Sequence, residues 1–369
     1  MNNEVVSTLG NRALVEPATA PAVARAGEPL LEIQDLNVQF VTSHGTVRAV
    51  EGLSYSVHPG EMVAIVGESG SGKSVTSLAI MGLLPGNARI GGSVRFRGRE
   101  LIGLSDNQMA PIRGGKIAVI FQDPMSSLNP VYTVGWQVAE MISEHQDVSK
   151  DEAWKRAVEL LELVGIPRAA ERAKAYPHEF SGGMQQRVVI ATAMANDPDV
   201  IIADEPTTAL DVTVQAQVLE ALKTAQARTN AALVFITHDL GVMAGIADEI
   251  MVMYAGKPVE FAATEELFYN PRMPYTVGLL ASLPRLDTDS SEPLRPIPGS
   301  PPSLIDLPSG CPFRPRCPLS RERCEIEEPP LRRIGRDRHL AACHFAEELE
   351  ERGAEIFAPI ADDAEVISS

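Results

Sequence analysis

The apolar positions change their spacing along this chain, and each spacing predicts a different element. Between Leu30 and Val57 apolar and polar residues alternate in short stretches such as Leu31-Glu32-Ile33-Gln34-Asp35-Leu36, which predicts antiparallel strands ended by Pro59-Gly60. Later runs are continuous: Met62-Val63-Ala64-Ile65-Val66, Ile117-Ala118-Val119-Ile120-Phe121, Val200-Ile201-Ile202-Ala203 and Ala232-Leu233-Val234-Phe235-Ile236. Such runs read as parallel strands covered on both faces. A helical block precedes the run at Val200: Ser149 and Glu152 have capping-box spacing, Trp154, Val158 and Leu161 share a face, and Gly165 with Pro167 stops the helix. Ile250-Met251-Val252-Met253-Tyr254, Ala255-Gly256-Lys257 and Val259-Glu260 predict a hairpin near the end of the core.

Two glycine motifs punctuate this pattern. Gly67-Glu68-Ser69-Gly70-Ser71-Gly72-Lys73-Ser74 follows the strand ending at Val66 and fits G-x-x-x-x-G-K-[ST] throughout. Its Gly67, Ser69, Gly70, Ser71 and Gly72 belong to a backbone cradle for phosphates at a helix N-terminus, and the glycines are needed there because a Cβ would block that approach. Lys73 can reach the β and γ oxygens, and the Ser74 hydroxyl can ligate Mg²⁺. The second motif is Phe180-Ser181-Gly182-Gly183-Met184-Gln185-Gln186-Arg187.

The strand Val200-Ile201-Ile202-Ala203 empties into two adjacent carboxylates. Asp204 suits a Walker-B role, holding Mg²⁺ through water, and Glu205 is then placed to polarise an attacking water as general base. An isolated Asp-Glu pair is more often a solvated strand end; the two glycine motifs reverse those odds. Gln122, just past Phe121, can sense Mg²⁺ or the lytic water, and His238, after Ile236-Thr237, can hydrogen-bond a γ-phosphate. Asp211 suits either a helix cap or a subunit contact.

Composition narrows the class. A chain of 369 residues that is 44% hydrophobic has the make-up of an ordinary globular protein with one large core and an appendage. A formal net charge of -17 argues against sequence-independent nucleic-acid binding, which depends on clustered Lys and Arg. Met1-Asn2-Asn3-Glu4 opens without a signal-peptide pattern, and no run approaches the roughly 18 apolar residues of a membrane span. The chain is therefore expected to be cytoplasmic and to cross no membrane itself.

All four cysteines, Cys311, Cys317, Cys324 and Cys343, follow a Pro-rich stretch. A reducing compartment disfavours disulfides, so a metal or cluster leads. The spacing C-x5-C-x6-C-x18-C lacks the close pair usual in structural zinc, and four thiolates on an open loop framework suit a [4Fe-4S] cluster at least as well. Spacing alone leaves a cluster, Zn²⁺ and metal-free thiols open.

In order, the P-loop (Gly67 to Ser74), Gln122, Ser181-Gly182-Gly183, Asp204 with Glu205, Asp211 and His238 resemble the nucleotide-binding subunits of ATP-binding-cassette (ABC) transporters over roughly residues 30–275. Phe180 and Met184 depart from the commonest Leu-Ser-Gly-Gly-Gln signature. The resemblance implies a P-loop NTPase (RecA-like) α/β core with an antiparallel β subdomain and a helical signature subdomain. It also implies ATP and Mg²⁺ as ligands, with Ser74, Gln122 and Asp204 at the metal. Glu205, His238 and Gln122 become the catalytic residues. Ser181, Gly182, Gly183 and Asp211 act on ATP held by a second chain. Phe40 and His44 both lie where adenine stacks in the family.

Tyr269-Asn270-Pro271, Pro274-Tyr275-Thr276 and Ile297-Pro298-Gly299, followed by the cysteines, resemble the C-terminal extension of oligopeptide/dipeptide importer ATPases. Some members of that family carry a four-cysteine iron-sulfur site there, which favours [4Fe-4S] on Cys311, Cys317, Cys324 and Cys343 over Zn²⁺. The implied partners are a second ABC ATPase chain, so that a heterodimer is expected, two transmembrane permeases and an extracytoplasmic substrate-binding protein. No nucleic acid is expected. The implied location is peripheral, on the cytoplasmic face of the membrane. The organisation expected is a flexible leader over 1–28, an ABC ATPase domain over 29–284 with its helical subdomain near 128–195, a small cysteine-containing extension over 285–345 and an acidic tail over 346–369. Peptides lead as the solute, with nickel chelates and oligosaccharides as alternatives within the family. A soluble ABC ATPase acting on DNA or ribosomes is disfavoured, because neither a long coiled-coil insertion nor a second cassette is present.

Overall fold

The computed structural model describes residues 27–43, 45–208, 210–283, 296–335 and 338–349. The expected leader, apart from Gly27 and Glu28, and the acidic tail beyond Leu349 lie outside them, as does His44.

Strands β1 (Leu31–Thr42) and β2 (Gly45–Val57) pair antiparallel, with Leu31 opposite Val57 and Thr42 opposite Gly45. After β3 (Met62–Val66), strand β4 (Ala88–Phe96) returns to pair with β1, and β5 (Arg99–Glu100) closes a four-stranded sheet ordered β2-β1-β4-β5. The second sheet adds β6 (Ile117–Ile120), β7 (Val200–Asp204), β8 (Ala232–Thr237), β9 (Glu249–Tyr254), β10 (Lys257–Ala263), β11 (Arg332–Arg333) and β12 (Leu340–Ala341). Its order is β11-β12-β10-β9-β3-β8-β7-β6, and β9, β3, β8, β7 and β6 run parallel.

The continuous apolar runs have a direct cause. All five residues of β3 are buried, with Met62, Ala64 and Val66 in one core and Val63 and Ile65 in the other. The second core lies between the two sheets, whereas the first packs the parallel sheet against the helices Val134–His145, Lys150–Leu163, Gly182–Ala193 and Val212–Thr229. The phosphate loop and β7 carboxylates therefore stand at the C-terminal edge of a sheet that is packed on both faces, where ligands of open α/β sheets bind.

The helix over Lys150–Leu163 forms, with the Ser149 hydroxyl accepting from Glu152 N–H at 3.2 Å. Its buried face is Ala153, Ala157, Leu160 and Leu161, while Trp154 and Val158 are only partly buried. Sequence pattern favoured the larger residues, but the alanines allow close helix approach. The hairpin also forms: Tyr254 pairs with Lys257 across a two-residue turn in which Ala255 and Gly256 have φ of 49° and 83°. Two central residues with positive φ match the twist of a tight hairpin.

The cysteine segment is largely loop, as its prolines suggest, but it is tied to the core at defined points. Its β12 pairs with β10, Phe261 opposite Leu340, and so extends the core sheet. Phe313, 1% exposed, enters an aromatic cluster with Tyr254 and Tyr275 at centroid distances of 5.2 and 5.4 Å. Two independent attachments thus fix the segment to the core.

Candidate functional site

The phosphate loop is clamped from two sides. A Cβ on Gly67 would lie 2.2 Å from Met253 O in β9, and one on Gly72 would lie 2.1 Å from Ala49 O in β2. Gly72 also has φ of 98°, so both space and backbone require glycine there. From Lys73 the chain becomes the helix Lys73–Ile80, whose first N–H groups and dipole face an anion. Lys73 Nζ donates to Gly67 O at 2.7 Å and Glu68 O at 3.0 Å. Burial lowers its pKa, opposed by the charges of Glu205, Asp204 and Glu68.

Ser74 Oγ donates to Asp204 Oδ1 at 2.9 Å, and Ser77 Oγ to Oδ2 at 3.2 Å. Burial pushes the Asp204 carboxyl upward, while the two serine hydroxyls and Lys73 counter it. One hydroxyl and one carboxylate at hydrogen-bonding distance fit Mg²⁺, which binds few protein oxygens alongside phosphate and water. Ser77 is a contact that the motif did not single out; its place one helical turn after Ser74 was the available signal.

A separate trio gathers at one oxygen of Glu205. Gln122 Nε2 donates to Glu205 Oε2 at 3.0 Å, Thr208 Oγ1 donates at 2.8 Å, and His238 Nδ1 stands 3.4 Å away. Gln122 is thus placed with Glu205 rather than with the Ser74–Asp204 pair. Glu205 itself has φ of 49°, a left-handed conformation that costs a non-glycine residue roughly 1–3 kcal/mol. Its N–H donates to Ile236 O at 2.8 Å, which holds that turn against β8.

Glu68, Ser69, Gly70, Gly72, Lys73, Ser74, Gln122, Glu205 and His238 all line one open cavity of about 960 Å³. Phe40 and Val47 line it from the antiparallel sheet, and Ile297, Pro301, Leu304 and Arg316 from the C-terminal extension. Gly67 and Ser71 are buried beneath the loop and are not among the lining residues.

Ser181, Gly182, Gly183 and Asp211 are not brought to that cavity within this chain. Ser181 is the exposed N-cap of the helix Gly182–Ala193. Gly183 is buried against Val214, whose Cγ1 would lie 2.0 Å from an added Cβ. Asp211 caps the helix Val212–Thr229 by accepting from Val214 N–H at 3.0 Å. Signature and aspartate therefore share a junction between two helices.

The four cysteines form no disulfide, yet all line one small cavity of about 20 Å³ that also receives Met273, Phe313 and Phe345. Burial, with the neighbouring thiols adding to it, pushes Cys317 and Cys343 up to about 12, while backbone N–H groups of Leu319 and Phe345 act in the opposite direction. Burial likewise raises Cys311. Among the described residues, no three His, Cys, Asp or Glu side chains are gathered so as to hold a metal ion. Convergence on a cavity is thus present, but a tight ligand set is not.

Residues 50–208 match the family described as ABC transporter, and residues 259–324 match that described as oligopeptide/dipeptide transporter, C-terminal region. The chain is 58% identical over 327 residues to the oligopeptide transport ATP-binding protein of Mycobacterium tuberculosis, covering 88% of this chain and 53% of that protein. It thus spans about half the length of the mycobacterial relatives. The corresponding Escherichia coli protein is 49% identical, with 91% of this chain and 99% of that protein covered. A dipeptide transport ATP-binding protein of Bacillus subtilis is 51% identical, with 88% and 97% covered. Among solved structures, a dimeric ATP-binding cassette bound to ADP and phosphate in a post-hydrolysis state aligns with a TM-score of 0.57 and 28% identity, covering 63% of this chain and 98% of that one.

The Gly183 contact gives a direct test of local packing. Gly183→Ala should destabilise the protein by about 1–3 kcal/mol through overpacking, and Val214→Ala in the same chain should restore most of the loss. Denaturant unfolding of both variants decides it: equal stability losses with and without Val214→Ala contradict the packing account.

Proposed function

The chain belongs to the family of oligopeptide/dipeptide transport ATP-binding proteins, and on that premise we propose that it is the ATP-hydrolysing subunit of an ABC importer that couples ATP turnover to peptide uptake across the cytoplasmic membrane. One observation carries this assignment: Lys73 and Ser74 of the phosphate loop, with Gln122, Glu205 and His238, line one cavity, Asp204 is hydrogen-bonded to Ser74 at its edge, and Ser181 to Gly183 are not among the lining residues. An ATP site half built in each chain is completed by pairing head to tail. The partner ATPase would lay its own serine and glycines against the γ-phosphate, and a heterodimer is the expected form.

In the cavity, the loop N–H groups and Lys73 bind the polyphosphate, and Ser74 with Asp204 holds Mg²⁺. Glu205 accepts a proton from the attacking water, with Gln122 and His238 orienting that water and the γ-phosphate. Mg²⁺ would there supply charge neutralisation for the polyphosphate. Phe40 is the proposed adenine contact. We place the ATPase domain at 29–284, its helical subdomain near 128–195 and the extension at 285–345.

Among the described residues no helix is long and apolar enough to cross a membrane. The proposed location is peripheral on the cytoplasmic face, held by two permeases that take their solute from an extracytoplasmic binding protein. An apolar groove of about 450 Å³ beside Gln122, lined by Phe121, Leu128, Gln137 and Met141, suits a permease helix. Movement there is conveyed to the ATP site through Gln122.

The proposed metal group at Cys311, Cys317, Cys324 and Cys343 is a [4Fe-4S] cluster, with Zn²⁺ as the alternative. The support is the convergence of all four thiols on one apolar cavity, and the positive iron charge of a bound cluster would offset the cost of burying thiolates there.

Glu205→Gln should bind ATP normally and lower turnover by about 10²–10⁴. Calorimetry with steady-state kinetics reads both, and wild-type turnover in the variant removes Glu205 from the base role. Anaerobically purified protein should be brown, with broad visible absorbance lost on Cys317→Ser. A colourless preparation containing one equivalent of zinc would replace the cluster by the alternative ion.

A further inference from the structure

Among the described residues, the C-terminal extension pairs with the phosphate loop through the charged side chain of Arg316. Arg316, immediately before Cys317, has a side chain 5% exposed and directs Nη1 and Nη2 onto the Glu68 carboxylate at 2.6 and 2.9 Å. Its Nε donates to Pro298 O at 2.9 Å, and its guanidinium carbon lies 5.8 Å from the Tyr254 ring centroid and 5.9 Å from that of Phe313. The guanidinium is therefore held through all three of its nitrogens and lies beside the neighbouring Tyr254 and Phe313 rings. Glu68 is clamped as well, because its N–H donates to the Tyr275 hydroxyl at 2.9 Å.

Glu68 is the second residue of the loop that must receive a polyphosphate. Its carboxylate lines the nucleotide cavity, and its charge acts on Lys73. An unmasked carboxylate there would repel the nucleotide and compete for Lys73. Bidentate pairing with arginine removes that repulsion and, at the same time, sets the loop's entry from β3.

We propose that Arg316 is a positioning residue for nucleotide binding, masking Glu68 so that the ATP affinity of the chain depends on its own C-terminal extension. The proposal rests on the phosphate-loop function assigned above. Arg316 makes no hydrogen bond to Glu205, Gln122 or His238, whose contacts are with one another. Its loss should therefore act on affinity more than on the chemical step. Arg316 is buried and Glu68 partly so; removing one partner of such a pair leaves an uncompensated charge, whereas removing both costs much less.

The test is Mg·ADP calorimetry on the full chain, with circular dichroism to monitor folding, and ATP kinetics on the same chain assembled with its partner ATPase and permeases. Arg316→Gln should weaken Mg·ADP by about tenfold or more and raise KM for ATP similarly, with kcat within about threefold of wild type. Glu68→Gln/Arg316→Gln should return to within about threefold of wild-type affinity, because the masked charge is gone. Arg316→Lys should fall between, having lost the fork. Wild-type affinity in Arg316→Gln overturns the proposal. So does a folded double variant as weak as the single one. Should Arg316→Gln fail to fold, the double variant decides alone by the same criterion. Lys73→Ala serves as the separate control: undiminished Mg·ADP binding there would remove the phosphate-loop assignment itself, whatever Arg316 does.

Discussion

Two backbone carbonyls decide the shape of the phosphate loop, and most of the molecule is arranged around them. Met253 O in β9 and Ala49 O in β2 approach so closely that neither Gly67 nor Gly72 can carry a Cβ. Steric exclusion of this kind does not weaken with solvent or salt, unlike the charge interactions nearby. The loop is consequently a junction between two sheets with separate cores. Its geometry depends on their packing as much as on its own sequence.

From that junction, the chemistry divides into two clusters with different electrostatics. Ser74, Ser77 and Asp204 form a hydrogen-bonded corner, proposed above to hold Mg²⁺, whereas Glu205 gathers Gln122, Thr208 and His238 at one oxygen. Adjacent residues face different partners because Asp204 ends β7 while Glu205 turns into a left-handed conformation held by Ile236 O. A strained residue anchored by its neighbours is a common way to aim a reactive side chain. The signature serine and glycines stand elsewhere, at the junction of two helices, and this separation supports the proposed second chain.

Local pattern carried much of this. Continuous apolar runs marked the parallel strands because burial on both faces removes alternation, and the glycine spacing marked the phosphate loop because only glycine tolerates those carbonyls. What remained illegible was set by contacts between distant residues. Arg316 and Glu68 are 248 positions apart, and neither bears a signal of the other. The pairing of β12 with β10 is only two residues long on the later strand, too short for any periodicity. In the helix Lys150–Leu163, small alanines rather than Trp154 define the buried face, since close packing rewards fit over size. The convergence of four cysteines on one cavity was foreseeable from their clustering, but their exact arrangement was not.

The extension thus contributes in two places, as a sheet edge beside β10 and as a wall of the nucleotide cavity facing Phe40 and Val47. The central claim is that one nucleotide site is assembled from the phosphate loop, the antiparallel sheet and this extension. Photolabelling with 8-azido-ATP and Mg²⁺, followed by peptide mapping, tests it most directly. The account predicts ATP-protectable label in peptides containing Phe40 to Val47 or Ile297 to Leu304. Label confined to the groove around Phe121, Leu128 and Met141 would contradict it.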